Sequence, residues 1–259
     1  MPADPSGKTA VRIALLAFFI AFTGPVPAAE PAKSADPAAQ PVVFRTWAKV
    51  ALDASGRPTS IEPGPDLPAP VREYLAARIA QWHFSPPARG TTTGSAVTYL
   101  RLGACALPDP AGGYRLGVDL KGNGPRYASA PLMLPPVYPT QAMRQGYGAK
   151  MVVSYVVEPD GSATFEGIEY TDGKPRGRNV FGRAVRDWVK HMRYEPEYLA
   201  GAPVRTRVQV PVEFSIGRPD PSAHLQRVLG SDECREAAST AGGLQPLAVD
   251  SPVTVEVRG

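Results

Sequence analysis

From Met151 to Glu158 the chain alternates apolar and polar positions, halts at Glu158-Pro159-Asp160-Gly161, and resumes as a second strand-like run from Ala163 to Thr171. A period of two on either side of a proline and a glycine predicts two antiparallel strands joined by a tight turn. Beyond a loop rich in Gly, Lys and Arg the period changes. Phe181, Ala184, Val185, Trp188, Val189 and Met192 recur at helical spacing and make one apolar stripe. The stripe ends before Arg193-Tyr194-Glu195-Pro196, the loop carries Gly201, and a final strand is predicted from Val204 to Phe214. The order is strand, strand, helix, strand.

The first half follows a similar course with weaker signals. Val43 to Leu52 reads as a strand ending in the turn Asp53-Ala54-Ser55-Gly56, and Val71, Tyr74, Leu75, Ile79 and Trp82 place a helical stripe over 71–82. Trp82-His83-Phe84-Ser85-Pro86, a loop with Gly90 and Gly94, and a strand from Val97 to Leu102 follow. What repeats is the order of elements rather than the letters. The fold class this implies is α+β: two small tandem units, each an amphipathic helix packed on a short antiparallel sheet, with Trp82 and Trp188 filling the two cores. Burying either indole makes a Trp to Ala change cost ~3 to 5 kcal/mol.

Composition agrees with two modest units. In 259 residues, 30 Pro and 25 Gly accompany 43% hydrophobic residues, which suits ordered segments separated by irregular connectors better than one doubly wound sheet. The expected divisions are 1–29, an export segment; 30–41, a Pro/Ala-rich linker; 42–107, the first unit; 108–130, a Gly/Pro-rich connector; 131–217, the second unit; and 218–259, a tail. Tyr114 to Leu120 in the connector could form a hairpin, Ser231 to Ala238 a short helix, and Val253 to Val257 an edge strand.

Lys8 and Arg12 precede an apolar run from Ile13 to Phe22, then Gly24, Pro25 and the small-residue sequence Val26-Pro27-Ala28. The run is about half the ~20 residues that cross a bilayer. A cleaved signal peptide and a periplasmic location are therefore expected. The alternative is an inner-membrane anchor facing the periplasm, and membrane contact is expected only if the segment stays uncleaved. Export would carry the only two cysteines, Cys105 and Cys234, into an oxidising compartment, where a disulfide between them competes with the reading of two buried free thiols.

The net charge of +4 comes from Lys and Arg scattered among acids, not from a basic stripe, so no nucleic-acid partner is expected. His83, His191 and His224 have no second ligand at metal spacing, and no Gly-x-Ser-x-Gly elbow or phosphate-binding glycine loop occurs. Glu158 and Asp160 are explained by their turn. Neither enzymatic activity nor a cofactor is expected.

Pro136-Val137-Tyr138-Pro139, Ala142, Gly146 and Gly148 come first, followed by the Val-rich strand, Asp160-Gly161 and the Phe181 to Trp188 helix. Arg193-Tyr194-Glu195-Pro196, Gly201 and Val208 to Phe214 complete a set that resembles the C-terminal domain of the TonB energy-transducer family. Tyr138, Pro139, Asp160, Gly161, Trp188, Tyr194 and Pro196 carry its motif. The first half lacks the Tyr-Pro start and a second long strand, and looks like a degenerate copy.

The resemblance implies a periplasmic module that binds a peptide segment of an outer-membrane transporter or other envelope protein by adding it as a strand to an open sheet edge. Arg205, Arg207, Val208, Gln209, Val210, Val212 and Phe214 would form that edge, and Pro211 reads equally as a mark of an edge, since proline cannot donate within a central ladder, and as a guard against unwanted edge pairing. The family's coupling to energised transport requires an anchor and a long Pro-rich arm. Here the apolar run is short and the linker reaches roughly 40 Å at ~3.1 Å per residue. The alternative function is a non-energised envelope scaffold that self-associates, as a homodimer, through its edge strands.

Overall fold

Asp53 makes the first turn. Its Oδ1 accepts the backbone N–H groups of Ser55 at 2.8 Å and Arg57 at 3.0 Å, which folds β1 (Val42–Leu52) back against β2 (Pro58–Pro63). The structure is a computed structural model and describes residues 42–108, 114–129, 133–172, 177–216, 244 and 246–257. The expected signal peptide, the 30–41 linker, the 231–238 helix, His224 and Cys234 lie outside the described residues. After β2 come α1 (Ala69–Ile79), β3 (His83–Phe84), the short hairpin of β4 (Ala88–Arg89) and β5 (Thr92–Thr93), and the long β6 (Ala96–Pro108).

β6 runs antiparallel to β1 from Ala96 opposite Leu52 to Ala106 opposite Val42. Leu75 and Ile79 of α1 close one face of this sheet over Ala48, Val50, Leu52, Leu100 and Leu102. The helix stops three residues short of the expected end, yet Trp82 still enters the same core and is 4% exposed. In this half β2 escaped the sequence pattern, while the hairpin expected at Tyr114 to Leu120 is present as a longer strand. β2 has a proline at each end and pairs only with β1, and such an edge position tolerates the missing N–H groups. β7 (Tyr114–Gly124) occupies the stretch expected as a connector and lines the other side of β6, from Pro108 opposite Tyr114 to Tyr99 opposite Gly124.

The second half repeats this path. β8 (Arg126–Tyr127) and the short α2 (Thr140–Arg144) precede β9 (Ala149–Val157), β10 (Ala163–Asp172) and α3 (Arg178–Lys190). β11 (Tyr194–Glu195), the hairpin of β12 (Glu197–Leu199) and β13 (Ala202–Val204), and β14 (Thr206–Phe214) then follow in the order of β3 to β6. β10, β9 and β14 are neighbours as β2, β1 and β6 are. The turns also dock alike. Gly161, at φ +81°, lies against the Tyr194 backbone as Gly56, at φ +85°, lies against Phe84, and a Cβ at either glycine would collide with the facing carbonyl oxygen.

Phe181, Val185 and Val189 of α3 pack on Met151, Val153, Tyr155, Val210 and Val212. Trp188 departs from expectation: it sits half-buried at the margin of this core and donates its Nε1–H to the Leu134 carbonyl oxygen at 3.0 Å. Position 188 falls on the flank of the stripe, and Phe181 fills the centre.

The halves share strands. β12 pairs with β6, so the larger sheet runs β13-β12-β6-β1-β2 with β7 also on β6, and the smaller sheet runs β10-β9-β14 and then β15 (Leu247–Ala248) from the tail. β16 (Val255–Glu256) pairs with β3, within the stretch expected as an edge strand. At the joint lies Glu197, fully buried. Its carboxylate accepts hydroxyl hydrogen bonds from Thr98 of β6 at 2.6 Å, Thr206 of β14 at 3.0 Å and Ser251 of the tail at 2.7 Å. Burial raises its pKa above the ordinary 4.5, and the three donors pull it partway back. Cys105 is buried on β6 and is not a free thiol.

Three outcomes follow for stability. Trp82→Ala is expected to cost ~3 to 5 kcal/mol and Trp188→Ala clearly less, as read by urea unfolding of the whole chain. Glu197→Ala, which strands the buried hydroxyls of Thr98 and Thr206, is expected to cost about 1 to 3 kcal/mol. With its folded pKa raised, Glu197 contributes stability that is present below pH 4.5 and is lost as pH rises through the higher folded value. Glu197→Gln stays neutral throughout, so its stability relative to the parent should climb across that window.

Candidate functional site

The residues nominated for partner binding lie on β14, apart from Arg205 just before it, and the side chains of the strand alternate strictly. Val208, Val210, Val212 and Phe214 point into the core at 4% exposure or less, leaving only their backbone for recognition. Arg205, Arg207, Pro211 and Glu213 face solvent. Arg205 grips Glu158 through Nε at 2.8 Å and Nη2 at 3.0 Å, and Arg207 grips Glu166 at 2.6 and 2.9 Å. The Arg207 hydrogen bond holds the Glu166 carboxyl below the usual range, and Glu166 in turn raises the Arg207 guanidinium. Both arginines are committed within the chain.

One side of β14 is fully paired with β9, from Thr206 opposite Val157 to Phe214 opposite Ala149. Its other side is not an open edge along its whole length, because the tail has added to it. β15 places Ala248 opposite Val208 and Leu247 opposite Gln209. Around this pair, the Val249 N–H donates to the Arg207 carbonyl oxygen at 3.0 Å, and the Arg207 N–H donates to Asp250 Oδ1 at 2.6 Å. Both backbone groups of Arg207 therefore turn outward. By the two-residue period of an antiparallel ladder, Gln209, Pro211 and Glu213 turn theirs the same way. The missing N–H of Pro211 falls on the outer side and costs the β9 ladder nothing.

The other residues singled out by sequence support this strand. Tyr138 donates its hydroxyl to the Tyr147 carbonyl oxygen at 2.5 Å and sets its ring edge-on to Phe181 and Phe214, at centroid distances of 6.1 and 5.4 Å. Pro139 starts α2. Asp160 Oδ1 accepts the Ser162 N–H at 2.9 Å, and the Gly161 carbonyl oxygen accepts the Tyr194 N–H at 2.8 Å. Tyr194 and Tyr155 are buried with their hydroxyls hydrogen-bonded. Pro196 separates β11, which pairs with β8, from β12, which joins the larger sheet. Tyr138, Tyr155 and Tyr194 share the core of β14, and the others shape the turn, the helix start and the strands around it. None of them touches its outer side.

Residues 135–216 match the family model described as Gram-negative bacterial TonB protein C-terminal. This segment is a TonB C-terminal domain. The match covers about a third of the chain and takes in α2, β9, β10, α3 and β11 to β14. No curated protein matches the chain. The TonB C-terminal domain is a protein-interaction domain of envelope-associated proteins. Among the described residues no helix is long and apolar enough to cross a membrane, and no group of His, Cys, Asp and Glu is placed to hold a metal ion. His83 is exposed on β3, and His191 lies at the end of α3 with Nδ1 2.6 Å from the Asp187 carbonyl oxygen.

Sequence reasoning missed three things about the site of this TonB C-terminal domain: the tail strand β15, Asp250 and Glu197. A strand of two residues carries no period, so β15 had no signal to find. Glu197 had a faint one, as an acid in Tyr194-Glu195-Pro196-Glu197-Tyr198-Leu199, where Tyr194 and Leu199 are buried apolar positions.

Proposed function

We propose that the chain binds a peptide segment of an outer-membrane transporter or other envelope partner by strand addition to the outer side of β14, in competition with its own tail. The reading rests on one observation: β14 turns its backbone groups outward and the tail engages only Val208 and Gln209 as a strand. The first half supports it. There β6, which holds the place of β14 in the repeat, has the corresponding side covered by β7 from Tyr99 to Pro108. A long strand added in cis occupies the first edge, and a two-residue strand occupies the second.

Main-chain pairing supplies affinity without demanding particular side chains, and alternate side chains of the incoming strand supply selectivity. Asp250 and the Arg207–Glu166 and Arg205–Glu158 pairs border the edge, so an incoming peptide meets both signs of charge. Export to the periplasm places the domain where such a partner is accessible. Pro211 offers only its carbonyl oxygen to an added strand, which favours pairing that begins at Arg207 and Gln209, where the tail now lies.

Val249→Pro removes the N–H that holds the tail to Arg207 while leaving the core untouched. Losing one backbone hydrogen bond of about 0.5 to 1.5 kcal/mol should raise affinity for a periplasm-facing transporter peptide by up to about tenfold in calorimetry. In the labelled full chain, the peptide should shift the resonances of Arg205 to Phe214. Shifts confined to the exposed face of α3, with Val249→Pro binding like the parent, would count against strand addition. A concentration-dependent dimer protected along β14 would support self-association instead.

A further inference from the structure

A cavity of about 1130 Å³ opens over the face of the larger sheet turned away from α1. Its wall includes Trp47, Tyr99, Arg101, Lys121, Arg126 and Met133. Most of the cations there are engaged. Arg126 holds Glu195 through Nε at 2.9 Å and through Nη2, and lies 4.4 Å from the centroid of the Trp47 ring. Lys121 pairs with Asp119 at 2.7 Å.

Arg101 differs. Its Nε and Nη2 are buried and meet no hydrogen-bond partner among the described residues. Tyr155, Tyr194 and Glu197 act on it electrostatically, but the hydrogen bonds of the Glu197 carboxylate come from Thr98, Thr206 and Ser251 and not from Arg101. Burial without a bonded counter-ion lowers the Arg101 pKa from its ordinary value. Space is kept for the group: Gly122 stands opposite Arg101 on β7, and a Cβ there would meet Nη2 at 2.6 Å.

Three other arginines show what the Nε and Nη2 edge does in this protein. Arg126, Arg205 and Arg207 each use it to hold both oxygens of a carboxylate. Arg101 presents the same edge without one. A desolvated guanidinium costs stability unless an anion pairs with it, and the planar fork matches a carboxylate. The surrounding wall of Trp47, Tyr99 and Met133 is apolar and aromatic, and the volume slightly exceeds the ~300 to 1,000 Å³ typical of small-molecule sites.

We propose that this cavity is a binding site for an amphiphilic carboxylic acid, with the carboxylate held by Arg101 and the apolar body lying along Trp47, Tyr99 and Met133. The site is separate from the outer side of β14 and does not depend on the strand-addition reading. One uncommitted cation sets the charge of the ligand at one negative group. Lys121 and Arg126 in the same wall are held by Asp119 and Glu195.

Titration of the full chain with dodecanoate, below its micelle concentration, tests this by calorimetry and by tryptophan fluorescence, since Trp47 lines the cavity. Saturable one-to-one binding is expected, with dodecanol much weaker. Arg101→Met should weaken dodecanoate by about tenfold or more, since a charge-assisted pair is lost. Because that variant removes a buried cation without a bonded carboxylate, its unfolding midpoint should be unchanged or higher. Arg101→Lys keeps a cation but not the fork, and should weaken binding by a smaller factor. The proposal is overturned if the parent does not bind dodecanoate, if dodecanol binds as tightly, or if both Arg101 variants bind as the parent does.

Discussion

A buried carboxylate is tolerated only where hydrogen bonds replace the water it gives up. Glu197 meets that condition with hydroxyls from three separate segments: Thr98 on β6, Thr206 on β14 and Ser251 in the tail. The two sheets and the tail must converge for the group to be satisfied, so the joint between the halves is specified by one side chain as much as by apolar contact. The same bond to Ser251 sets the tail beside the start of β14. Val249 and Asp250, its immediate neighbours, then reach Arg207.

The repeated path of the halves gives this joint its meaning. Each half builds two strands, a helix, a two-residue strand, a short hairpin and a last long strand, and in each the glycine of the first turn packs on the backbone of that two-residue strand. The halves then diverge on the outer side of the last strand. β7 covers β6 from Tyr99 to Pro108, whereas β15 covers β14 at Val208 and Gln209 alone. The first half has thus become a platform. The second, which carries the TonB C-terminal match, has only a two-residue strand paired on that side among the described residues.

Much of this was legible in the sequence. The Asp160-Gly161 turn, the α3 stripe and the alternation of β9 and β14 each carry a local period that one face of a core imposes, and the structure places all of them within a few residues of expectation. The elements that were missed or read too short owe their form to contacts distant in sequence. β7 contains Gly117, Gly122 and Gly124, which blur its alternation, and it is a strand because β6 offers a side to pair with. β2 is hidden by its prolines. Trp188 was placed too deep because a helical stripe has flanks that spacing alone does not separate from its centre. Arg101 sits in the apolar run Tyr99-Leu100-Arg101-Leu102, and that charge inside a buried strand was the available sign of the cavity.

The edge of β14 is therefore the point on which the functional reading turns, and backbone amide exchange reports on it most directly. In the full chain with saturating transporter peptide, the Val249 amide should lose protection as the tail leaves Arg207, while the Gln209 amide stays protected by the incoming strand. Retained protection at Val249 with peptide bound would mean that the partner lies elsewhere, and that the tail is a permanent strand of the sheet.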